Sequence, residues 1–298
     1  MKILDYSEIK RLPESVARQG CIVLNMPNEV YQNFAGLSKS GADKIDISPA
    51  AFKKRAPFKT SRAVVVGSAL HASLLEPHVF EEQYQLMPEV EDRRKAEYKK
   101  LAEMYGADNV LVKSECENIA AMTENARLDR EVDELLKRTG ISEVSFFATC
   151  PETGVLLRCR FDRIDIETDR ATDLKKTRDA SPEGFSKSVG DYRYHVQQQF
   201  YSYVYRLVTG RDLKKFTFVA IQETAPHTVR KYELDEEARV IGDYYFHKNL
   251  ETYADCMLRD IWPHAGKNGV IGLQYWHVNE YEKEIDELNM DEFQGSDE

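Results

Sequence analysis

At 298 residues, with 42% hydrophobic and 31% charged residues, the chain has the composition of an ordinary globular protein of one or two domains. Its formal net charge of −10 runs against a nucleic-acid-binding surface, yet residues 280–298 hold nine acids and one lysine, so the remainder is close to neutral. No apolar run approaches a membrane span, and the five cysteines are scattered without a C-x-x-C pair, which excludes a disulfide scaffold, a zinc site and an iron–sulfur cluster and leaves buried, inert thiols.

The first fourteen residues, MKILDYSEIKRLPE, are too acidic and too short of apolar residues for a secretory signal, so a cytoplasmic protein is expected. Residues 1–30 carry mixed signals and remain unassigned. At Ser40 the pattern S-G-A-D reads as a helix N-cap with an acid three residues on. Basic residues cluster at Lys53, Lys54, Arg55, Lys59 and Arg62, and again at Arg93, Arg94, Lys95, Lys99 and Lys100. Such clusters are more often solvated helix faces than contacts.

From Ala63 the run VVVGSALHASLL reads as a helix from about Gly67 that stops before Pro77, with His71 among small apolar residues. Residues 81–140 repeat apolar positions at helical spacing and read as two or three helices inserted before the sheet, a clamp wall or an oligomer contact. Residues 141–149, ISEVSFFAT, read as the first core strand. Its Glu143 is either an outer acidic partner of a site or, more simply, an edge-of-strand carboxylate.

The most informative stretch is 155–176, VLLRCRFDRIDIETDRATDLKK. Strand periodicity puts Arg158, Arg160 and Asp162 on one face and Leu157, Cys159 and Phe161 on the other, with a polar turn at residues 167–170. On the following strand Asp173 and Lys175 point the same way and Leu174 points back into the sheet. A hairpin about the turn brings Asp162 beside Asp173 and Lys175. Two carboxylates on neighbouring strands can hold Mg²⁺, which wants near-octahedral oxygen, while an ammonium orients the attacking water or stabilises charge on a phosphorane. A D-x₁₀-D-x-K match alone is weak, because most such matches are solvated cross-strand pairs.

After Lys176 a loop carries Arg178, and a short helix starts at Ser181 and Pro182. The next helix buries Val196, Phe200, Val204 and Leu207 and ends at Gly210, with Gln197 and Tyr201 one turn apart beside that stripe. Strands at 216–223 and 228–234 precede a long helix at 234–259. The acidic stretch 279–298 reads as a disordered tail, and 1–278 as one domain.

The D-x₁₀-D-x-K spacing resembles the PD-(D/E)xK nuclease motif. Three further stretches, GSALHASLLEP, YRYHVQQQFYSYVY and YQNFAGLSKSGADKIDISPAAFKK, resemble the RecE-type (exonuclease VIII) branch in the same order. The resemblance implies an α/β PD-(D/E)xK restriction-endonuclease-like core, a mixed central sheet flanked by helices, with a helical insertion. It implies that His71, Asp162, Asp173 and the Leu174 carbonyl hold one or two Mg²⁺ ions, with Mn²⁺ as a substitute. Lys175 would handle the water, and Gln197 with Tyr201 would orient the scissile phosphate. Arg178 is a candidate phosphate contact, and Ser38 and Ser40 are candidates for a 5′-phosphate site.

Beyond chemistry, the resemblance implies 5′-to-3′ degradation of one strand of linear double-stranded DNA, leaving 3′ overhangs. It also implies a ring-like homo-oligomer, tetramer or trimer, and a single-strand annealing partner of the RecT type in a phage or prophage system. The chain is nearly all nuclease, which fits a free-standing phage enzyme. Two alternatives stay open on the same residues: a structure-specific endonuclease, and a non-catalytic module that loads an annealing protein on DNA. A helical scaffold protein is a third, and it predicts no metal affinity.

Overall fold

In a computed structural model the described residues are 1–54, 61–266 and 270–294, with side chains through 286. In chain order they form β1 (Ile3–Asp5), α1 (Tyr6–Ile9), α2 (Glu14–Arg18), β2 (Cys21–Leu24), α3 (Asn28–Asn33), α4 (Lys39–Ile47) and α5 (Pro49–Lys53). There follow α6 (Arg62–Leu75), α7 (Pro77–Gln83), β3 (Gln85–Met87), α8 (Ala96–Tyr105), β4 (Val110–Val112), α9 (Lys113–Leu128) and α10 (Arg130–Lys137). The second half holds β5 (Ile141–Thr149), β6 (Leu156–Asp165), β7 (Arg170–Thr177), α11 (Pro182–Asp191), α12 (Tyr194–Thr209), β8 (Lys215–Gln222), β9 (Val229–Tyr232), α13 (Glu236–Arg259) and α14 (Tyr275–Gln294).

The main sheet is mixed, in the order β1-β2-β5-β6-β7-β8-β9. Pairs β1·β2 and β7·β8 are parallel, and β2·β5, β5·β6, β6·β7 and β8·β9 are antiparallel. Strand alternation buries both faces. On β8, Phe216, Phe218 and Ala220 pack with Val196, Phe200 and Val204 of α12 and Phe246 and Leu250 of α13. Val219 and Ile221 pack on the opposite side with Val65, Ala69 and Leu70 of α6 and Ile119 and Met122 of α9. The result is a helix–sheet–helix sandwich, the mixed α/β architecture expected from sequence.

Several local signals appear as read. Ser181 caps α11 by accepting from the Gly184 amide, Pro182 opens it, and Gly210 closes α12 at a φ of 72°, a conformation only glycine adopts freely. Other readings change. Residues 1–30 add β1 and β2 to the sheet edge, so β5 is not the first strand of the core. The 81–140 segment includes helices α8, α9 and α10, and also a small parallel sheet, β3 with β4, invisible to a helical-period search because its strands are three residues long. The cap of α4 is Ser38, not Ser40: its Oγ accepts from Gly41 N at 3.3 Å.

The compact unit ends at His264, and residues 265–298 form a second unit. Where a disordered acidic tail was expected from residue 279, the chain runs as helix α14, which contains no Gly or Pro. No described helix is long and apolar enough to cross a membrane.

Four residues of the basic clusters, Lys53, Arg62, Arg93 and Arg94, are ion-paired within the fold. Glu115, buried, takes Arg62 at 2.6 and 3.0 Å and Arg93 at 2.6 Å, and it accepts from the Val112 amide at 3.1 Å. Lys53 pairs with Asp260 and lies over the Trp262 ring, and Arg94 pairs with Asp92. Arg55 and Lys59 lie outside the described residues. Because Glu115 joins the start of α6 to the start of α9, Glu115→Ala removes the acceptor shared by two guanidinium groups and an amide and leaves Arg62 only its bonds to the Ala107 and Val110 carbonyls. A loss of about 2–3 kcal/mol is expected, with Glu115→Gln milder, read from urea unfolding midpoints.

Candidate active site

The site forms where β6 and β7 separate. The two strands pair only over three positions, Arg163 with Thr172, Ile164 with Ala171 and Asp165 with Arg170. Beyond Arg163 they splay, β7 continues alongside β8, and the Asp162 carboxylate closes the gap by accepting the Leu174 amide at 2.7 Å. The expected hairpin is therefore a fork, and Asp162 stands at its crotch.

A kink in β5 and β6 sets the direction of that carboxylate. Val144 with Phe161 and Ile141 with Ile164 face the α12 side, although the two members on each strand are three positions apart. Strict alternation cannot do this. Between them Glu143 takes a left-handed φ of 49°, uncommon for any residue but glycine. Glu143 and Asp162 consequently both turn toward α6, where His71 meets them: its Nδ1 lies 3.6 Å from Asp162 and 3.7 Å from Glu143. Its Nε2 is 3.1 Å from the Leu174 carbonyl. Donor atoms of His71, Glu143 and Asp162 lie within 4.8 Å of one another, a spacing suited to one cation.

Asp173 and Lys175 lie on the other flank of the fork, toward α12, not on the same face as Asp162. Asp173 is buried, ion-paired with Lys175, and accepts from Gln197 Nε2 at 2.6 Å. The Lys175 ammonium sits 4.7 Å from the centre of the Tyr194 ring. The two halves are coupled by charge. Burial first, then the Asp173 charge, pushes the Asp162 pKa up to about 7. Burial opposes a charge on His71, but Asp162 and Glu143 prevail and lift it to about 9. Burial likewise opposes the charge on Lys175, and Asp173 and Asp162 overcome it, so its pKa lies above the usual lysine value. Crowded carboxylates that retain a proton are what a bound divalent ion would relieve, and a donor set of one imidazole, carboxylates and a main-chain carbonyl suits Mg²⁺ or Mn²⁺.

Of the remaining expected residues, Tyr201 packs against Phe161 with ring centres 5.1 Å apart and lines the cleft before the site. Arg178 is exposed just past β7. Ser38 and Ser40 contact each other at 3.1 Å at the head of α4. The residue between them, Lys39, is the one whose charge reaches the site: burial lowers its pKa, and Lys175 is among the charges acting on it. Sequence reading singled out neither Lys39 nor Arg160, which holds Glu143 at 3.0 Å. It offered Glu143 only as one of two options, since a backbone reversal inside a strand leaves no mark in a run such as ISEVSFF.

A metal ion must displace the proton held between His71 and the carboxylates. Mn²⁺ affinity is therefore expected to climb as pH rises from about 7 to about 9, with protons released on binding. Calorimetric titration in buffers of different ionisation enthalpy reads both effects, and His71→Ala should flatten the climb.

The family model described as PDDEXK-like domain of unknown function (DUF3799) matches residues 38–271, a span containing every residue of the fork. Among solved structures, a "Putative exonuclease" from Eubacterium rectale is similar in fold, with a TM-score of 0.53 and 14% identity, the match covering 83% of this chain and 97% of that one. No curated protein matches the sequence. With well over half its length inside the family model, the chain belongs to the PDDEXK-like DUF3799 family of the PD-(D/E)xK nuclease superfamily.

Proposed function

We propose that this protein is a Mg²⁺-dependent exodeoxyribonuclease that degrades one strand of linear duplex DNA from the 5′ end and leaves 3′ single-stranded overhangs. The observation that carries the reading is the coupling of the Asp162–His71–Glu143 cluster to the Asp173–Lys175 pair through the fork. In this reading His71, Asp162, Glu143 and the Leu174 carbonyl hold the metal, and Asp173 joins them across the gap. Mn²⁺ would serve in place of Mg²⁺. Such an ion, when bound, acts as a Lewis acid on the phosphoryl oxygen and lowers the pKa of water.

The chain's own groups have separate tasks. Lys175, held in its charged form, cannot serve as a base at neutral pH; it orients the attacking water and offsets negative charge gathering on the phosphorane. Gln197 fixes the rotamer of Asp173 and, with Tyr201, orients the scissile phosphate. Arg178 contacts the approaching backbone, and Ser38 and Ser40, flanking Lys39, receive the 5′-terminal phosphate. The larger biological setting follows the RecE resemblance: overhangs passed to a RecT-type single-strand annealing protein during recombination, and a ring-like homo-oligomer encircling the duplex.

Nucleotide release from duplexes blocked at one 5′ or one 3′ end, with each strand labelled separately, tests the polarity: a 5′ block should spare the strand that carries it, and a 3′ block should spare neither. Covalently closed circles should survive; their cleavage would shift the reading to an endonuclease. Asp173→Ala and Lys175→Ala should each cost at least about a hundredfold in rate, some 3 kcal/mol of transition-state stabilisation. Gln197→Ala should cost about tenfold, through lost positioning of Asp173.

A further inference from the structure

At the closed end of the β6–β7 hairpin, three strands present two rows of side chains on one face of the sheet. Arg163, Thr172 and Thr217 are register partners across β6, β7 and β8, and two positions away on each strand stand Asp165, Arg170 and Lys215. Residues two apart on a strand share a face at a spacing of about 7 Å, and neighbours across strands lie about 5 Å apart, so the six form one patch. The face is fixed by Leu174 and Val219, two positions further along β7 and β8, which pack in one cluster with Val132 and Leu136 of α10. Arg138 and Thr139, just past α10, close one side and leave a notch of about 30 Å³, room for one small polar group.

The notch gathers positive charge. Arg138, Arg163, Arg170 and Lys215 line it against a single acid, Asp165, which is occupied by its own turn through the Glu167 and Thr168 amides and the Thr168 hydroxyl. Lys215 pairs with Glu233, but Arg138 and Arg170 have no ion pair or side-chain hydrogen bond among the described residues. Arg163 donates only to neutral groups, the Ser142 hydroxyl at 2.9 Å and the Arg138 carbonyl, and burial and the Arg127 charge lower its pKa. Arg170 and Lys215, side by side in register, repel unless an anion lies between them. The floor is Thr172 and Thr217, 9% and 2% exposed. Neither hydroxyl is hydrogen-bonded among the described residues, and neither is sealed from the notch, whereas a buried hydroxyl ordinarily has a partner.

We infer that this notch binds a single phosphate group, held by the guanidinium groups of Arg138, Arg163 and Arg170, the Lys215 ammonium and the two threonine hydroxyls. Guanidinium forks match pairs of phosphate oxygens, and hydroxyls on the sheet surface donate to those that remain. That chemistry has two sources: a backbone phosphate of DNA passing the closed end of the hairpin, and a free phosphate, inorganic or on a nucleotide. The inference stands apart from the nuclease reading, since the notch shares no residue with the fork.

The full chain, as wild type, Arg138→Ala, Arg170→Ala and Thr217→Val, is titrated with inorganic phosphate in EDTA by calorimetry, and its affinity for a linear duplex is measured in the same buffer. Thermal melts followed by circular dichroism establish that each variant is folded. Phosphate binding is expected to weaken about tenfold in each arginine variant and about threefold in Thr217→Val, which removes a donor and no charge. Lys175→Ala, at the fork, should bind phosphate as wild type does. A fall in duplex affinity in the same variants, with a salt slope about one unit smaller in the arginine variants, identifies the source as the DNA backbone. Unchanged duplex affinity with weakened phosphate binding identifies it as free phosphate. Variants equal to wild type toward both probes overturn the inference. So does weakening in the arginine variants with none in Thr217→Val, which marks general charge, or loss of phosphate binding in Lys175→Ala alone, which places the anion at the fork. Digestion of linear duplex in Mg²⁺ tests the nuclease reading separately, and its failure leaves the phosphate titration intact.

Discussion

One hydrogen bond organises the functional half of this molecule: the Leu174 amide donating to Asp162 across the parted strands β6 and β7. An antiparallel pair that kept its ladder would satisfy Leu174 with a backbone carbonyl and leave no room between the strands. Because a side chain takes that role, the Leu174 carbonyl stays available to His71, and Asp173 and Lys175 are presented from the next strand at the same depth. The parallel ladder with β8 makes the arrangement rigid, since it holds β7 along its full length while β6 departs. Helices α6 and α12 then serve as the two jaws, one bringing an imidazole and the other an amide.

Much of this is legible in the sequence because it rests on periodicity. The alternation in 155–165 and the apolar stripe of α12 define which residues are buried, and the observed strand and helix bounds fall close to those readings. What alternation cannot reveal is its own interruption. The shift of facing between Phe161 and Ile164, matched by Glu143 on β5, depends on a tertiary demand from α6, not on any local preference of the residues concerned. That is why two carboxylates assigned to one face approach each other from two. The short strands β1 and β3 escape notice for a different reason: three residues carry too little pattern to be told from a loop.

Charge is the other place where a count of residues misleads. The acidic total comes mainly from the last nineteen residues, as the sequence shows, but the basic clusters do not compensate in the way their spacing implies. Arg62 and Arg93 are held by Glu115 and serve the packing of α6 against α9. Arg193 likewise pairs with Asp43 and Asp46, binding the start of α12 to α4. The positive field near the fork comes from fewer groups, Lys39 and Lys175 foremost, each partly buried and each with an acidic partner at hand. A few ammonium groups in low-dielectric surroundings act more strongly on a nearby anion than many in water.

The left-handed backbone at Glu143 sets thermal robustness against chemistry at a single position. A non-glycine residue held there costs on the order of 1–3 kcal/mol, which glycine would largely avoid. Selection for a hardier protein would therefore favour losing the carboxylate, and a carboxylate can persist there only if its usefulness outweighs that gain. In the wider family, a glycine at this point would mark members that have traded an acidic ligand for durability.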